Sequence, residues 1–370
     1  MLVHVSALAA LLVLPIAWFE AQRPPATWRL SERPVLSIGS QDGAGPESFG
    51  RVRGAVRLSS GSVVVVDGMN MELRLFSPAG KPLRTSGRRG AGPGEFRLVG
   101  PVRRCAGDST FVYDPSLWRI SVFSPDGVYT RALDVHTLSG NELSPSDFRC
   151  NSGGTLAFVH RSAAPPTGIG PRRPDVAITV LAPNANAVKL GTFPASERYF
   201  LGQEDVPRPL GKQTSVALGS TFAYVGTGDA FEVAQFSLRG ERVDTVRDSR
   251  AAVPVTAAHV NRFITQELAR RAGRDTRRIE RLYRGIEYPG AFPAYANLMV
   301  DGLDNLWIEG YPIPGKELRD WSIYSPTGTA IGVLRVPSNL QLLEAGRDYV
   351  LGVWRDELDV EFVQVYSLVK

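Results

Sequence analysis

The stretch GRRGAGPGEF (Gly87–Phe96) packs four glycines and two arginines into ten residues, a composition that suits either a phosphate-cradling loop or a structural connection. An echo upstream decides between them. GAGPESF (Gly43–Phe49) aligns with GAGPGEF (Gly90–Phe96) at an offset of 47 residues. The same offset carries Asp67 onto Asp114, Arg74 to near Arg119, and FSPAG (Phe76–Gly80) onto FSPDG (Phe123–Gly127). A phosphate loop has no reason to repeat together with its neighbours, whereas a structural unit of about 40–50 residues does. The glycines are therefore expected to serve turns between units.

The F-S-P-x-G turn then works as a ruler. It recurs in weaker form as LAPNA (Leu181–Ala185), FSLRG (Phe236–Gly240), YSPTG (Tyr324–Gly328) and a partial YSL (Tyr366–Leu368), six copies in all. Proline presets φ at the second turn position and glycine accepts a left-handed conformation at the fourth. Each copy ends a run of short strands. In the first unit GAVRL, VVVVD, ELRLF and KPLRT are separated by turns, and four-stranded units at this period predict an all-β, six-bladed β-propeller of antiparallel blades. The last unit stops at Lys370 without an outermost strand, and TWRLSERPVLSIGS near the N-terminus can supply it, closing the ring. The combination G-x-G-P-x-x-F, a strand ending in Asp67 or Asp114, and an arginine-bearing strand ending in F-S-P-x-G resembles NHL-type repeats of six-bladed propellers. It does so well over Gly43–Leu133 and faintly beyond. The resemblance implies the fold. Such propellers include binding platforms, sensor domains, lactonases and lyases, so function has to come from sites.

Composition narrows the classes. The 370 residues are 43% apolar and 21% charged, with 42 basic against 37 acidic side chains, an excess too dilute for a nucleic-acid footprint. Four histidines and two cysteines exclude cysteine-rich zinc sites. An apolar run from Val5 to Phe19 precedes QRPPATW, so residues 1–21 are expected to be a signal peptide and 22–370 the propeller. No Lys or Arg precedes the run, which keeps a mis-set start or an uncleaved anchor open. The mature protein is expected to be a periplasmic or extracellular monomer without a membrane span.

Within a four-stranded blade, the turns joining strands one to two and three to four share one face of the disk, and here they are uniformly short. All the variation falls on the other face. It includes RSAAPPTGIGPRRP (Arg161–Pro174), PASERYFLGQEDVPRPLG (Pro194–Gly211), GYPIPGKELRD (Gly310–Asp320) and a long insertion between Ala251 and Pro293. Long loops on one side of a rigid scaffold are the usual home of binding residues. In the longest, helical spacing of Val260, Phe263, Ile264 and Leu268, a break at Gly273, and Ile279, Leu282 and Tyr283 predict a helical hairpin over about 256–284. It carries eight arginines. These either face an anionic partner or form a solvated face with Glu267 and Glu280 as local ion-pair partners.

The expected ligand is a protein or a carbohydrate. Candidate loop-face contacts are Trp118, Arg172, Arg173, Tyr199, Phe200, Arg270, Arg271, Arg277, Arg278, Tyr288, Tyr295 and Tyr311, a set of aromatic and arginine side chains of the kind that makes adhesive surfaces. Asp67, Asp114, His160 and Glu309 end second strands and are candidates for the rim of the central channel, where converging carboxylates would hold calcium or act as acid and base. The alternative is that each caps its own turn. No metal or cofactor site is otherwise indicated. Cys105 (RRCAGDS) and Cys150 (FRCNSGG) precede equivalent turns of adjacent units and are a disulfide candidate. No nucleophile elbow, Walker loop, dinucleotide fingerprint or His-Glu-x-x-His is present. A metal-dependent hydrolase or lyase working in the channel stays the alternative to a binding platform.

Overall fold

The computed structural model describes residues 24–370 apart from 44, 140–144, 162–164, 167 and 272–275. The expected signal peptide and the break at Gly273 therefore lie outside the described residues.

Four sheets are four-stranded antiparallel meanders in chain order. The first holds Val52–Arg57, Val63–Asp67, Glu72–Phe76 and Pro82–Ser86, and the second Val102–Arg104, Thr110–Asp114, Arg119–Phe123 and Tyr129–Asp134. The third holds Pro145–Cys150, Leu156–Arg161, Asp175–Leu181 and Val188–Pro194, and the fourth Ser215–Leu218, Phe222–Gly226, Glu232–Ser237 and Arg242–Arg247. Two further meanders follow. Asn297–Val300, Leu306–Glu309, Leu318–Tyr324 and Ala330–Pro337 form a fifth, and Leu340–Ala345, Tyr349–Arg355 and Glu361–Val369 begin the last.

The N-terminus completes this last sheet. Leu36–Ile38 pairs antiparallel with the C-terminal strand, Leu36 opposite Val365. Ala26–Leu30 wedges between the fifth and last meanders, parallel to Ala330–Pro337 and antiparallel to the C-terminal strand, and so joins both into one nine-stranded sheet. Its Trp28 sits over Gly332, where a Cβ would lie 2.6 Å from the indole.

The strand sequences follow from their layers. Second strands are covered on both faces, and VVVVD (Val63–Asp67) is buried at every position. Outermost strands such as PLRTS (Pro82–Ser86) are exposed nearly throughout. Apolar clusters lie between successive sheets, first with second, second with third, and onward to last with first. Face-to-face sheets arranged in this way surround an axis, and the first strand of each meander lines it.

The S-P-x-G turns behave as their composition requires. Gly80, Gly127, Gly240 and Gly328 all have φ between 73° and 93°. The loop that opened the sequence reading is also structural. Asp67, 0% exposed, accepts the N–H groups of Gly50, Arg51, Met69 and Asn70, while Arg74 donates to the carbonyls of Pro46 and Ser48. One unit on, Asp114 accepts Arg97, Leu98, Ser116 and Leu117, and Arg119 reaches the carbonyls of Ala91, Gly92 and Glu95. The carboxylate takes the loop's N–H groups and the guanidinium its carbonyls. The glycine-rich loop is thereby latched to its own sheet, leaving its polar backbone satisfied.

Cys105 and Cys150 join the second and third sheets as a disulfide, with Cα atoms 5.4 Å apart. A short helix, α1 (Val135–Ser139), follows the second sheet, and the helical hairpin consists of α2 (Ala257–Ala269) and α3 (Thr276–Gly285). Thr256 and His259 form a reciprocal cap at the start of α2, and Phe263 packs on Tyr283 across the pair.

Candidate functional site

The first strands enter the channel from the long-loop face. At that mouth lies a cavity of about 570 Å³, within the usual range of small-ligand pockets. Asp147 and Arg149 reach it from the third sheet, Ser215 from the fourth, Asn297 and Glu309 from the fifth, and Gln341 from the last. A small three-stranded sheet, Gly170–Arg172, Arg198–Phe200 and Asp205–Pro207, brings Arg198 to the same wall as Arg161. This sheet is built from two long loops that read as irregular in the sequence.

Ion pairs organise the wall. Asp147 is shared by two arginines, accepting Arg103 Nη2 at 3.2 Å and a short bond from Arg149 Nη1. Asp205 is likewise shared, with Arg172 Nε at 2.9 Å and Arg198 Nε on its other oxygen. Glu309 pairs with Arg319 at 2.9 Å, and Arg319 in turn donates to the carbonyl of Leu340 at 3.1 Å. Burial, reinforced by the charge of Arg149, pulls the Arg103 guanidinium down to about 10. Burial and then Arg198 also lower Arg161, against the opposing pull of Asp205. Burial raises the Glu309 carboxyl, with Arg319 offsetting only part of the effect. Asp147 is pushed up by burial but held below the usual carboxylate range by Arg149 and Arg103.

Deeper in the channel, a second cavity is lined by the first strands of all six meanders and includes Arg53, Arg103, Arg104 and Arg149. Glu344 there accepts Arg57 N–H at 3.1 Å and a short bond from the Tyr349 hydroxyl. At the short-turn end, Asp301 accepts Leu303 N–H, Asn305 N–H and Trp307 Nε1. It belongs to its own turn.

Of the four candidate rim residues only Glu309 lines the mouth. Asp67 and Asp114 are buried in the loop latches, and His160 is buried at 1% exposure with Nε2 3.1 Å from Thr179 Oγ1. Asp67 and Asp114 turn into their own loops and His160 turns to Thr179, so the expected ring of carboxylates is corrected to one glutamate.

The loop-face set also divides. Tyr295 is 0% exposed, its hydroxyl donating to Glu232 O and accepting Gly228 N–H, and Tyr199 is buried in the three-stranded sheet. Neither offers a surface to a ligand, because aromatic rings under long loops are the packing that holds those loops down. Arg172 holds Asp205, and Arg173 ties Asp229 to the carbonyls of Thr227 and Ala195. Tyr288 donates to Tyr283 O, and Tyr311 packs on Phe292. Phe200 is half-buried, and Trp118, also half-buried, stacks on His136 at 3.8 Å. Arg270 and Arg271 both pair with Glu267, Arg278 with Glu204, and Arg284 with Glu280. Arg277 is exposed. Four of the hairpin's eight arginines are thus paired within the fold, two of them sharing Glu267.

Sequence reading missed Arg103, Asp147, Arg149, Arg161, Arg198 and Asp205. A signal existed for three of them. Arg103, Asp147 and Arg149 interrupt first strands, PVRRC and SDFRC, where a solvent-free position would be apolar.

No family model matches the chain, and no curated protein matches it. Solved structures do. A member of the DUF4221 family from Bacteroides vulgatus superposes with a TM-score of 0.54 at 9% identity, covering 93% of this chain and 99% of its own. A putative exported protein from Bacteroides fragilis gives 0.51 at 12%, covering 93% and 95%. The calcium-binding protein regucalcin from Agrobacterium tumefaciens gives 0.44 at 12%, covering 93% and 97%. Among the described residues of this chain, no three His, Cys, Asp or Glu side chains are grouped to share a metal ion. No described helix is long and apolar enough to cross a membrane. At these identities the likeness shows the fold alone, and the chain adopts a β-propeller fold built of four-stranded antiparallel sheets.

Proposed function

We propose that the chain is an exported, monomeric six-bladed propeller with NHL-like repeats that acts as a binding platform, taking a glycan or a protein-borne group at the long-loop mouth of its channel. The blade count rests on reading the nine-stranded sheet as two blades bridged by Ala26–Leu30, consistent with the apolar clusters that link each sheet to the next and the last to the first. One observation carries the binding role. Two of the loops that vary in length, Arg161–Pro174 and Pro194–Gly211, reach a concave, polar-walled cavity of about 570 Å³, whereas the proposed aromatic contacts are mostly committed to packing. A cavity of that size admits one or two sugar rings or a side chain, and a protein partner would present the group rather than enter whole.

The test plugs the mouth. Gln341 is exposed at the cavity wall, so Gln341→Trp fills the cavity from a surface position. Wild-type protein screened on immobilised glycans and on exported proteins should retain a ligand that Gln341→Trp loses, while Arg277→Trp on α3 retains it. Capture that survives the plug but disappears with Arg277→Trp would move the site to the hairpin and overturn the reading.

A further inference from the structure

The chemistry of the mouth goes one step beyond its location. We infer that the cavity recognises an anionic group, a carboxylate or phosphate borne on a polyol, through the arginines of its wall; this rests on the binding reading above and names its ligand class. Counting the charged side chains that line the cavity together with their ion-pair partners, five arginines (Arg103, Arg149, Arg161, Arg198 and Arg319) meet three carboxylates (Asp147, Asp205 and Glu309). Two positive charges are in excess.

The excess is placed by geometry. Asp147 and Asp205 are each divided between two guanidinium groups, so neither neutralises its neighbours. The Arg161 side chain makes no hydrogen bond or ion pair among the described residues, although it stands at the cavity wall beside Arg198. Guanidinium groups crowded in this way gain from an added oxyanion, because each shared carboxylate leaves N–H donors directed elsewhere and the forked donor matches carboxylate and phosphate oxygens. Around them Ser146, Ser196, Thr214, Gln213 and Asn297 supply hydroxyl and amide groups, which suit the hydroxyls of a saccharide.

Thermal unfolding of the full chain at constant ionic strength tests this with three probes, inorganic phosphate, glucuronate and glucose, each at 10 mM or more. Phosphate and glucuronate are expected to raise the unfolding midpoint by at least about 2 °C. Glucose is expected to raise it by less than half as much. In Arg161→Gln the rise with the two anions should fall at least twofold, and in Arg277→Gln it should persist. Because the Arg161 side chain makes no hydrogen bond or ion pair among the described residues, Arg161→Gln is expected to fold, and Arg161→Lys, which keeps the charge but not the fork, should restore part of the phosphate effect. Absence of any anion shift, or an equal shift in Arg161→Gln and wild type, overturns the inference. A glucose shift as large as that of glucuronate and indifferent to Arg161 overturns the charge requirement while leaving a ligand at the mouth. Failure of the mouth itself is read separately, by capture that survives Gln341→Trp.

Discussion

The second and fourth sheets meet the same local demand with different atoms. In the second, the strand Thr110–Asp114 ends in a carboxylate that accepts N–H groups from the turn after it and from the loop before its sheet. In the fourth, the equivalent strand ends in Gly226, and the buried Tyr295 hydroxyl stands in the vacated space, accepting the N–H of Gly228. Asp114 takes the N–H two residues beyond it, and so does the tyrosine for Gly226. A Cβ at Gly226 would lie 2.1 Å from that oxygen. What the repeat preserves is a buried acceptor for the N–H two residues past the strand end, and the aspartate is one way to provide it. In the fourth sheet the acceptor comes from the far side of the helical insertion, so one tyrosine both satisfies the turn and anchors the returning chain.

That comparison fixes an order of effects. Asp114→Ala should cost most, about 4 kcal/mol in urea unfolding, because four N–H groups lose their buried acceptor at once; a loss under 1 kcal/mol would mean that water replaces the carboxylate. Gly226→Ala should follow at about 3 kcal/mol, the methyl forcing the tyrosine hydroxyl off its partners. Were Gly226→Ala neutral, the tyrosine would have room to shift and the equivalence would fail. Tyr295→Phe, which keeps the ring and deletes only the oxygen, is expected to cost about 1–2 kcal/mol. Its combination with Gly226→Ala should cost less than the two singles added, since both act on one bond.

The smallest effect separates latch from channel. Asp147, held below its ordinary 3.8, contributes stability that is present above about pH 4 and lost as pH falls through its folded value. Urea unfolding of wild type between pH 2 and 6 should therefore steepen below pH 4. Asp147→Asn should flatten that limb. An unchanged limb would show that the two arginines do not hold the carboxylate ionised.

Much of the architecture was legible because the repeats carry turn chemistry in a fixed order. A proline or glycine in S-P-x-G means the same thing wherever it stands, and the Asp67–Arg74 and Asp114–Arg119 latches are local enough for a 47-residue echo to reveal them. The fourth sheet lost that signature because its acceptor is 69 residues from Gly226 in the chain, and no spacing rule connects a glycine to a tyrosine across two helices. The three-stranded sheet escaped notice for a related reason. Its strands are only three residues long and lie in segments rich in glycine and proline. The candidate site was harder still. Aromatic and arginine side chains in long loops looked adhesive, yet Tyr199, Tyr295 and Arg173 hold the loops in place. The arginines that face the cavity sit in strands, where alternation alone does not tell a channel from a core.

The pairing of Leu36–Ile38 with the C-terminal strand joins residues as distant as Ser37 and Gln364, 327 positions apart. During synthesis this segment has to wait without a partner until the last strand has emerged. The first four meanders can form from local contacts in the meantime, but ring closure is the slow, high-separation step and comes late. The N-terminal strands carry Trp28, Leu36 and Ile38, all buried once closed, so until then the open edge of the last sheet and these apolar strands are two halves of a joint that a neighbouring molecule's copy fits equally well. Exchange of those strands between two chains is the assembly error this architecture invites.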